Sequence, residues 1–275
     1  MPTEQDKSLD ALCRLINTHV DLDQLVQLAA PVLELLPPAA APRPYDVPPV
    51  RFGVAKDEAF CFYYHDNLRQ LEEAGATLIY FSPLHDACLP GDVHALYFGG
   101  GYPELHAEAL QANVSMRNAV LKFSSQDGLI YAECGGLMYL AQQLFHESRG
   151  YTMAQVLPFD TTMTPRMVMG YCECTPAPAL AKLLRLRPSL LLACHQFHFS
   201  EVTRDGQPID RLSESGVGIG WVGVEAPAYL AAMVRDTNSR DKCPEGIVQQ
   251  STIASYCHLH FLPEFALALV QVSIC

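Results

Sequence analysis

The sequence lacks two groups of motifs that usually mark ligand sites. It contains no Gly-Lys dipeptide, and therefore no Gly-x-x-x-x-Gly-Lys-[Ser/Thr] loop for nucleotide phosphates. It also contains no Cys-x-x-Cys pair and no His-Glu-x-x-His motif, which are common zinc-ligand spacings. We therefore expect this chain to bind no cofactor and no metal. Closely spaced donors are nevertheless present at Cys172/Cys174, His195/His198 and His258/His260.

Positive charge is scarce, with 18 Lys and Arg against 30 Asp and Glu and a formal net charge of -12. This balance argues against a nucleic-acid partner, which would require a basic surface. No apolar run is long enough for a membrane span, and the N-terminal residues do not resemble a secretory signal, so we expect no membrane association. The 10 cysteines are irregularly spaced, which favours reduced thiols and a cytoplasmic location.

A change in composition divides the chain into two parts. Residues 9–36 have a helical pattern that places Leu22, Leu25, Val26 and Ala29 on one face. Residues 37–49 are rich in proline and predict a semi-rigid linker. We therefore assign residues 1–42 to a helical segment with its linker, and residues 43–275 to one larger domain.

Short apolar runs alternate with helical patterns in the larger domain. Predicted strands cover 50–55, 76–83, 94–101 and 128–134, and predicted helices cover 67–75, 103–111, 116–123 and a segment from 135. This alternation predicts an α/β fold with an open, mostly parallel sheet flanked by helices. Strands dominate after residue 160, residues 201–246 are interpreted as a long insertion or loop region, and 263–272 predict a final helix.

A glycine run at 218–223, Gly-Ile-Gly-Trp-Val-Gly, has the spacing of a dinucleotide-binding loop. That loop requires a strand before it and a helix after it, and neither is predicted here. A loop or a bulged strand is the better interpretation.

Cys134 lies where a predicted strand meets a predicted helix, with Ala132 and Gly136 two residues to either side. A nucleophile in such a turn requires small neighbours, and a helix N-terminus favours the thiolate. A buried structural cysteine explains the local pattern equally well. A thiol nucleophile also needs a base and oxyanion donors, for which His258 and the glycines at 99–101 are candidates.

Six motifs together resemble one enzyme family. They are AKDEAFCFYYHDNL (55–68), YFSPL (80–84), LYFGGGYPEL (96–105), IYAECGGLMYL (130–140), HQFHFS (195–200) and ASYCHLHF (254–261). In this order they resemble the C-terminal glutamine amidotransferase domain of the cobyrinic acid a,c-diamide synthases. The resemblance covers about residues 46–275.

The resemblance implies a class I-like glutamine amidotransferase fold with a catalytic triad. It implies that Cys134 attacks the glutamine side-chain amide, that His258 is the general base, and that Gly100, Gly101 and Gly135 donate to the oxyanion. Ordinary triad glutaminases carry a glutamate two residues after the histidine, whereas this chain carries His260 there. The candidates for orienting the base or contacting substrate are therefore His260, Glu133, His195, Gln196, His198 and Tyr102.

One motif departs from the family pattern. The family's usual substrate motif is Gly-His-Glu-Phe-His-Tyr-Ser, whereas this chain has Gln196 in the place of the glutamate. An amide therefore replaces a carboxylate, and Gln196 can at most retain a hydrogen bond without the charge.

The resemblance also implies a function in cobalamin biosynthesis. The family amidates the corrin a and c carboxylates with L-glutamine, ATP and Mg²⁺, and this chain would supply the glutaminase half. Residues 9–36 resemble the last helices of the family's ATP-binding synthetase domain. We therefore expect a truncated gene or gene model, or one subunit of a split enzyme whose partner is a separate ATP-binding synthetase.

Two alternatives to this function stay open. One is a non-catalytic remnant with a scaffolding or binding role. The other is the glutaminase domain of the related cobyric acid synthases, although DEAFCFYY and ASYCHLHF favour the a,c-diamide branch.

Overall fold

The computed structural model describes residues 4–29, 49–208, 218–224 and 244–274. The chain divides into two units, residues 1–42 and 43–275. In the first unit, α1 (Glu4–His19) and α2 (Leu22–Leu28) are separate helices, because Asp21 caps the second by accepting a 2.9 Å hydrogen bond from the Gln24 amide. The rest of the predicted helical segment, residues 30–36, and the linker up to residue 48 lie outside the described residues.

The second unit is built around one mixed sheet. Its strands in chain order are β1 (Val50–Ala55), β2 (Ala76–Phe81), β3 (Ala95–Phe98), β4 (Leu129–Glu133), β5 (Gln143–His146), β6 (Arg149–Thr152), β7 (Asp160–Pro176), β8 (Leu192–Arg204), β9 (Gln207–Pro208), β10 (Gly218–Val224), β11 (Pro244–Gln249), β12 (Thr252–Ser255) and β13 (His258–Leu259). The helices are α3 (His65–Glu73), α4 (Ala107–Ala112), α5 (Val114–Ser125), α6 (Gly135–Leu140), α7 (Pro178–Leu184) and α8 (Pro263–Val272), with a 3₁₀ turn at Pro103–His106.

The sheet has a parallel half and an antiparallel half. The strand order is β13-β8-β7-β10-β11-β12-β4-β3-β1-β2. Strands β2, β1, β3, β4 and β12 pair in parallel, and the pairs from β12 to β13 are antiparallel. The predicted α/β fold with an open sheet is confirmed. The sheet is mixed because β7, β8, β10, β11 and β13 pair antiparallel along this order, a pairing that needs no crossover helix.

Two segments differ from the predictions. The helix predicted from Gly135 ends at Leu140, where Ala141 turns extended, and residues 143–146 form β5. Residues 201–246 are not simply a loop, because β8 continues to Arg204 and β10 forms a strand between β7 and β11. The glycine run 218–223 lies in β10, and this strand excludes the dinucleotide loop. Residues 209–217 and 225–243 lie outside the described residues.

Side chains of the central strands alternate between two buried clusters. Tyr97 on β3 and Tyr131 on β4 pack with Phe265 of α8 on one side of the sheet. Phe98 and Tyr139 pack together on the other side. Because β3 and β4 are parallel neighbours, their carboxyl ends meet at one edge. The glycine loop after β3 and Cys134 after β4 therefore lie together.

Candidate active site

Cys134 occupies a strained turn between β4 and α6. Its backbone angles are φ 48° and ψ -102°, which a non-glycine residue adopts rarely and at a cost of about 1–3 kcal/mol. Two hydrogen bonds hold the turn: the Cys134 amide donates to the Ser255 carbonyl at 2.7 Å, and the Gly136 amide donates to the Gly99 carbonyl at 3.0 Å. The thiol is therefore placed at the carboxyl edge of the sheet by fixed backbone contacts.

The glycines after Cys134 are required by close packing. A Cβ atom on Gly136 would lie 2.7 Å from the Cβ of Phe98, and one on Gly135 would lie 3.0 Å from the Gly101 nitrogen. The first separation is shorter than real Cβ contacts allow. The small residues in the segment Ala-Glu-Cys-Gly-Gly therefore reflect how tightly this turn fits against the glycine loop.

Glu133 and His258 face each other beside Cys134. The His258 Nδ1 atom lies 3.8 Å from Oε2 of Glu133, an ion-pair distance, and the two side chains are only 5% and 2% exposed. Glu133 accepts hydrogen bonds from the Tyr131 hydroxyl at 2.7 Å, the Tyr97 hydroxyl at 3.0 Å and the Leu259 amide at 3.2 Å. These donors hold the carboxylate in one orientation toward the imidazole.

The surroundings of His258 favour its protonated form. Burial lowers the pKa of His258, but the Cys134 thiol and the Glu133 carboxylate raise it, and the resulting pKa is about 10. An imidazole in this environment can retain a proton taken from the neighbouring thiol. The pair Cys134 and His258 therefore has the chemistry of an activated nucleophile and its base.

Of the three predicted oxyanion donors, Gly100 and Gly101 lie in the glycine loop and Gly135 begins α6. The Gly100 amide donates to the Phe62 carbonyl at 3.1 Å and is therefore occupied, so the structure does not support it as a donor. Gly101 lines the same cleft as Cys134, and the Gly135 backbone lies directly against Gly101. The oxyanion prediction is thus reduced to the amides of Gly101 and Gly135.

The motif at 55–64 holds this loop in place. The Tyr102 amide donates to the Ala59 carbonyl at 3.0 Å, and the Gly99 amide donates to the Tyr63 hydroxyl at 2.9 Å. Asp57 in turn accepts from the Ala59 amide at 2.9 Å and from the Ser82 hydroxyl at 2.8 Å. These hydrogen bonds show that the motif beginning at Ala55 fixes the position of the glycine loop that faces Cys134.

A cleft of about 320 Å³ opens above Cys134 and His258. Its walls are largely apolar, and the Cys134 thiol lies 3.7 Å from the Phe197 carbonyl oxygen. Glu104 contributes a half-buried carboxyl group, and burial raises its pKa. The lining residues are Cys61, Phe62, Gly101, Tyr102, Glu104, Cys134, Met138, Met163, His195, Phe197, His198, Phe199, Ser200 and His258.

The comparison with protein families agrees with this geometry. Residues 51–265 match the model of the CobB/CobQ-like glutamine amidotransferase domain. The chain belongs to this family.

Three curated relatives of this amidotransferase domain are each named cobyrinate a,c-diamide synthase. The protein from Syntrophotalea carbinolica is 37% identical over 272 residues, covering 98% of the chain and 55% of the relative. The Limosilactobacillus reuteri protein is 38% identical over 259 residues, covering 93% and 52%. The Methanosarcina acetivorans protein is 34% identical over 284 residues, covering 94% and 51%. The chain thus spans about half the length of these relatives.

Solved structures show the same fold at low sequence identity. PurLQS from Thermotoga maritima has a TM-score of 0.52 and 14% identity, and the match covers 82% of this chain and 97% of that one. The glutaminase domain of Trypanosoma brucei CTPS has a TM-score of 0.50 and 13% identity, and the match covers 82% of this chain and 94% of that one.

Among the described residues, no helix combines the length and the apolar character that a membrane crossing requires.

His195 and His260 both contact the Tyr64 ring in this amidotransferase domain. The His195 ring stacks on His258 with ring centres 4.9 Å apart, its Nδ1 lies 2.7 Å from the Tyr64 hydroxyl, and burial lowers its pKa. His260 is exposed, and its ring stacks on Tyr64 with ring centres 4.2 Å apart. Glu133 is the carboxylate that lies at ion-pair distance from the His258 imidazole.

The other predicted site residues separate into cleft and non-cleft positions. His198 lines the cleft, stacks on Tyr256 at 3.9 Å and donates from Nδ1 to the Ser200 carbonyl at 2.7 Å. Burial lowers the pKa of His198 to about 4. Tyr102 lies exposed at the rim of the cleft. The Gln196 amide instead lies 3.5 Å from the Cys257 sulfur and is not part of the cleft wall.

The sequence analysis did not identify several polar residues of the site, among them Tyr97, Tyr131 and Glu104. Tyr97 and Tyr131 fix Glu133, and Glu104 lines the cleft. A signal for the tyrosines was present, since Tyr131 and Glu133 alternate on a predicted buried strand, where a carboxylate requires partners.

Proposed function

We propose that this chain is a glutaminase, with Cys134 as nucleophile, His258 as general base and Glu133 as the group that orients the base. The observation that carries the proposal is the position of Cys134: a strained strand–helix turn places it beside a histidine that faces a buried carboxylate. This arrangement has the three roles of a catalytic triad in a different chain order.

The proposed reaction proceeds through a thioester. His258 takes the thiol proton as the Cys134 sulfur attacks the side-chain amide carbon of L-glutamine. The amides of Gly101 and Gly135 stabilise the resulting oxyanion. His258 then gives the proton to the departing nitrogen, which leaves as ammonia. Water, activated by His258, cleaves the γ-glutamyl thioester to glutamate and restores the thiol.

The cleft has the features required to hold glutamine. Its apolar walls suit the methylene groups of the side chain, and Glu104 offers an opposite charge to the substrate ammonium group. Tyr102 at the rim and His198 in the wall offer further polar contacts. These groups are therefore proposed to bind substrate, while Cys134 and His258 react with it.

We assign the ammonia to amidation of the a and c carboxylates of a corrinoid, because the curated relatives are cobyrinate a,c-diamide synthases. A carboxylate must be activated before ammonia can displace an oxygen from it. We propose that an ATP- and Mg²⁺-dependent synthetase part, on a separate subunit or segment, performs this activation, since this sequence has no Walker-type phosphate loop. A reducing, cytoplasmic compartment would preserve the nucleophilic thiol.

The test combines labelling and turnover. A glutamine-like diazoketone should modify Cys134, identified by peptide mass spectrometry, and glutamine should protect it. Cys134→Ala should abolish both labelling and glutamate release, whereas Cys88→Ala, at an exposed cysteine outside the cleft, should change neither. Labelling does not depend on a synthetase partner. Equal labelling of several cysteines, or none at Cys134, would reject the mechanism and favour a scaffolding role.

A further inference from the structure

Four cysteines from three segments converge behind the cleft. Cys172 and Cys174 are alternate residues of β7 and share one face, and Cys194 of β8 pairs directly with Cys172 in the strand register. Cys257 lies in the connection between β12 and β13. Their sulfur atoms all lie within 4.8 Å of one another.

The separations between the sulfurs fit a single metal ion. The shortest are 2.9 Å for Cys172 and Cys194, 3.1 Å for Cys174 and Cys194, 3.5 Å for Cys194 and Cys257, and 3.9 Å for Cys174 and Cys257. Four thiolates around one zinc ion, with Zn–S bonds of about 2.3 Å in a tetrahedron, lie about 3.8 Å apart. Three of these four separations are shorter than that edge length, by up to about 0.9 Å, and the fourth is close to it, so the Cys194 sulfur would move away from Cys172 and Cys174 to make room for the ion.

A disulfide bond or an iron–sulfur cluster agrees less well with these sulfur positions than a single metal ion does. A disulfide requires an S–S distance of about 2.05 Å, and all four cysteines are free. An iron–sulfur cluster distributes its thiolates over several iron atoms and therefore needs them farther apart than a mononuclear site does. Soft thiolate ligands and tetrahedral closure together select zinc among the common divalent ions.

The surroundings have the character of a structural metal site. Cys174, Cys194 and Cys257 are buried, and only Cys172 is partly accessible. The Gln196 amide donates toward the Cys257 sulfur at 3.5 Å, as an outer-shell group that orients a ligand does. The closed set of four protein ligands leaves no open position for substrate.

We propose that Cys172, Cys174, Cys194 and Cys257 bind one zinc ion as a structural tetrathiolate site. This departs from the expectation of no metal, which considered ligand spacing along the chain and not convergence across strands. The ion would join β7 and β8 to the segment that carries His258, because Cys257 is the residue before His258. The site is therefore expected to stabilise the position of the base and to take no part in the chemistry.

The first test measures zinc in the whole chain. Protein purified under reducing conditions with zinc present should contain about one zinc ion per chain by elemental analysis. Substitution with Co²⁺ should give intense visible d–d bands and a thiolate-to-cobalt charge-transfer band, the spectrum of a tetrahedral sulfur site. In differential alkylation, the four cysteines should resist modification until a chelator is added, while Cys61 and Cys88 react at once.

Variants separate this site from the proposed nucleophile. Cys194→Ser should lower the zinc affinity by more than about a hundredfold, the upper range for loss of an outer-shell group, and Gln196→Ala should lower it by about tenfold to a hundredfold. Cys134→Ser should keep the full zinc content while losing glutaminase activity, so failure of one proposal is distinguishable from failure of the other.

Three results would overturn the zinc proposal. They are a wild-type chain that binds no zinc, a Cys172–Cys194 disulfide in the reduced preparation, and full zinc binding in a folded Cys194→Ser variant. Should Cys194→Ser not fold, the alkylation and Co²⁺ measurements on the wild-type chain decide the question.

Discussion

The Nδ1 atom of His258 lies 3.8 Å from Oε2 of Glu133, the residue immediately before the proposed nucleophile. The sequence offered Glu133 as one of several candidates for an orienting group, alongside His260 at the position two residues after His258. In the structure His260 is exposed and stacks on Tyr64. The Glu133 carboxylate, on the strand that leads to Cys134, therefore faces His258, and it is held by two tyrosine hydroxyls and one backbone amide.

Glu133→Gln should lower kcat for glutamine hydrolysis by about a hundredfold to ten-thousandfold, by analogy with loss of the acid in other triads. The KM should change little, because Glu133 does not line the cleft. Steady-state kinetics give the two parameters, and thermal unfolding shows whether the fold is retained. An unchanged kcat in a folded variant would remove Glu133 from the triad.

His258→Ala should nearly abolish glutamine hydrolysis, with a loss of about a hundredfold to ten-thousandfold. His260→Ala should retain most of the rate, since His260 is exposed, stacks on Tyr64 and does not line the cleft. Both variants are compared by glutamate release, with the synthetase partner added if the isolated chain is too slow. A more severe loss in His260→Ala would reverse the assignment.

Glu104→Gln should raise the KM for glutamine by about tenfold while kcat stays close to wild type, because a charge-assisted contact to the substrate ammonium is lost. Glu108→Gln is the matched control, since Glu108 is nearby in sequence but forms only an exposed ion pair with Arg149. Equal KM values for the two variants would show that Glu104 does not contact glutamine.

Gly136→Ala should lower the free energy of unfolding by about 1–3 kcal/mol, because the added methyl group would press against Phe98 in the turn that holds Cys134. Gly91→Ala provides the comparison, since a Cβ there meets no atom within 4 Å. Urea unfolding measures both variants. A Gly136→Ala chain as stable as Gly91→Ala would mean that the turn is looser than described.

His198 should make stability depend on pH. Its pKa is about 4 in the folded chain, against about 6.5 in an unfolded one. As the pH falls from about 6.5 to about 4, the unfolded chain takes up a proton that folded His198 does not, so stability is lost across this window.

His198→Phe keeps a ring to stack on Tyr256 and removes this titration. Urea unfolding across the window should show a shallower loss of stability in the variant than in the wild type. His195, whose pKa is also lowered, contributes in both proteins and cancels in the comparison. Parallel pH profiles for the two chains would contradict the prediction.

Local chemistry made several elements predictable from sequence. The run 50–55 became β1 without a change of boundary, and Gly75 follows the end of α3 at a positive φ of 110°. Ala132 and Gly136 correctly indicated a tight strand–helix turn at Cys134. These features depend on residues within a few positions of one another, so apolar alternation and backbone freedom are sufficient to indicate them.

The candidate site depended on contacts between distant segments. Strand β12 lies parallel to β4 and pairs Ser255 with Glu133, which brings the following His258 to the nucleophile. The Gly100 amide is taken by the Phe62 carbonyl, an occupation that no local pattern indicates. Strand order and strand register determine these contacts, and the residues around each position in the sequence indicate neither of them.

The sequence by itself determined which chemical groups are available: a cysteine between small residues, a downstream histidine, a glycine loop and scattered cysteines. Only the tertiary structure decided which groups meet. Among the candidates for an orienting group, it placed the Glu133 carboxylate 3.8 Å from His258, and it gathered the sulfurs of Cys172, Cys174, Cys194 and Cys257 within 4.8 Å of one another. The physical reason is that side-chain type and local conformation are properties of short segments, whereas convergence follows from the burial and pairing of the whole sheet.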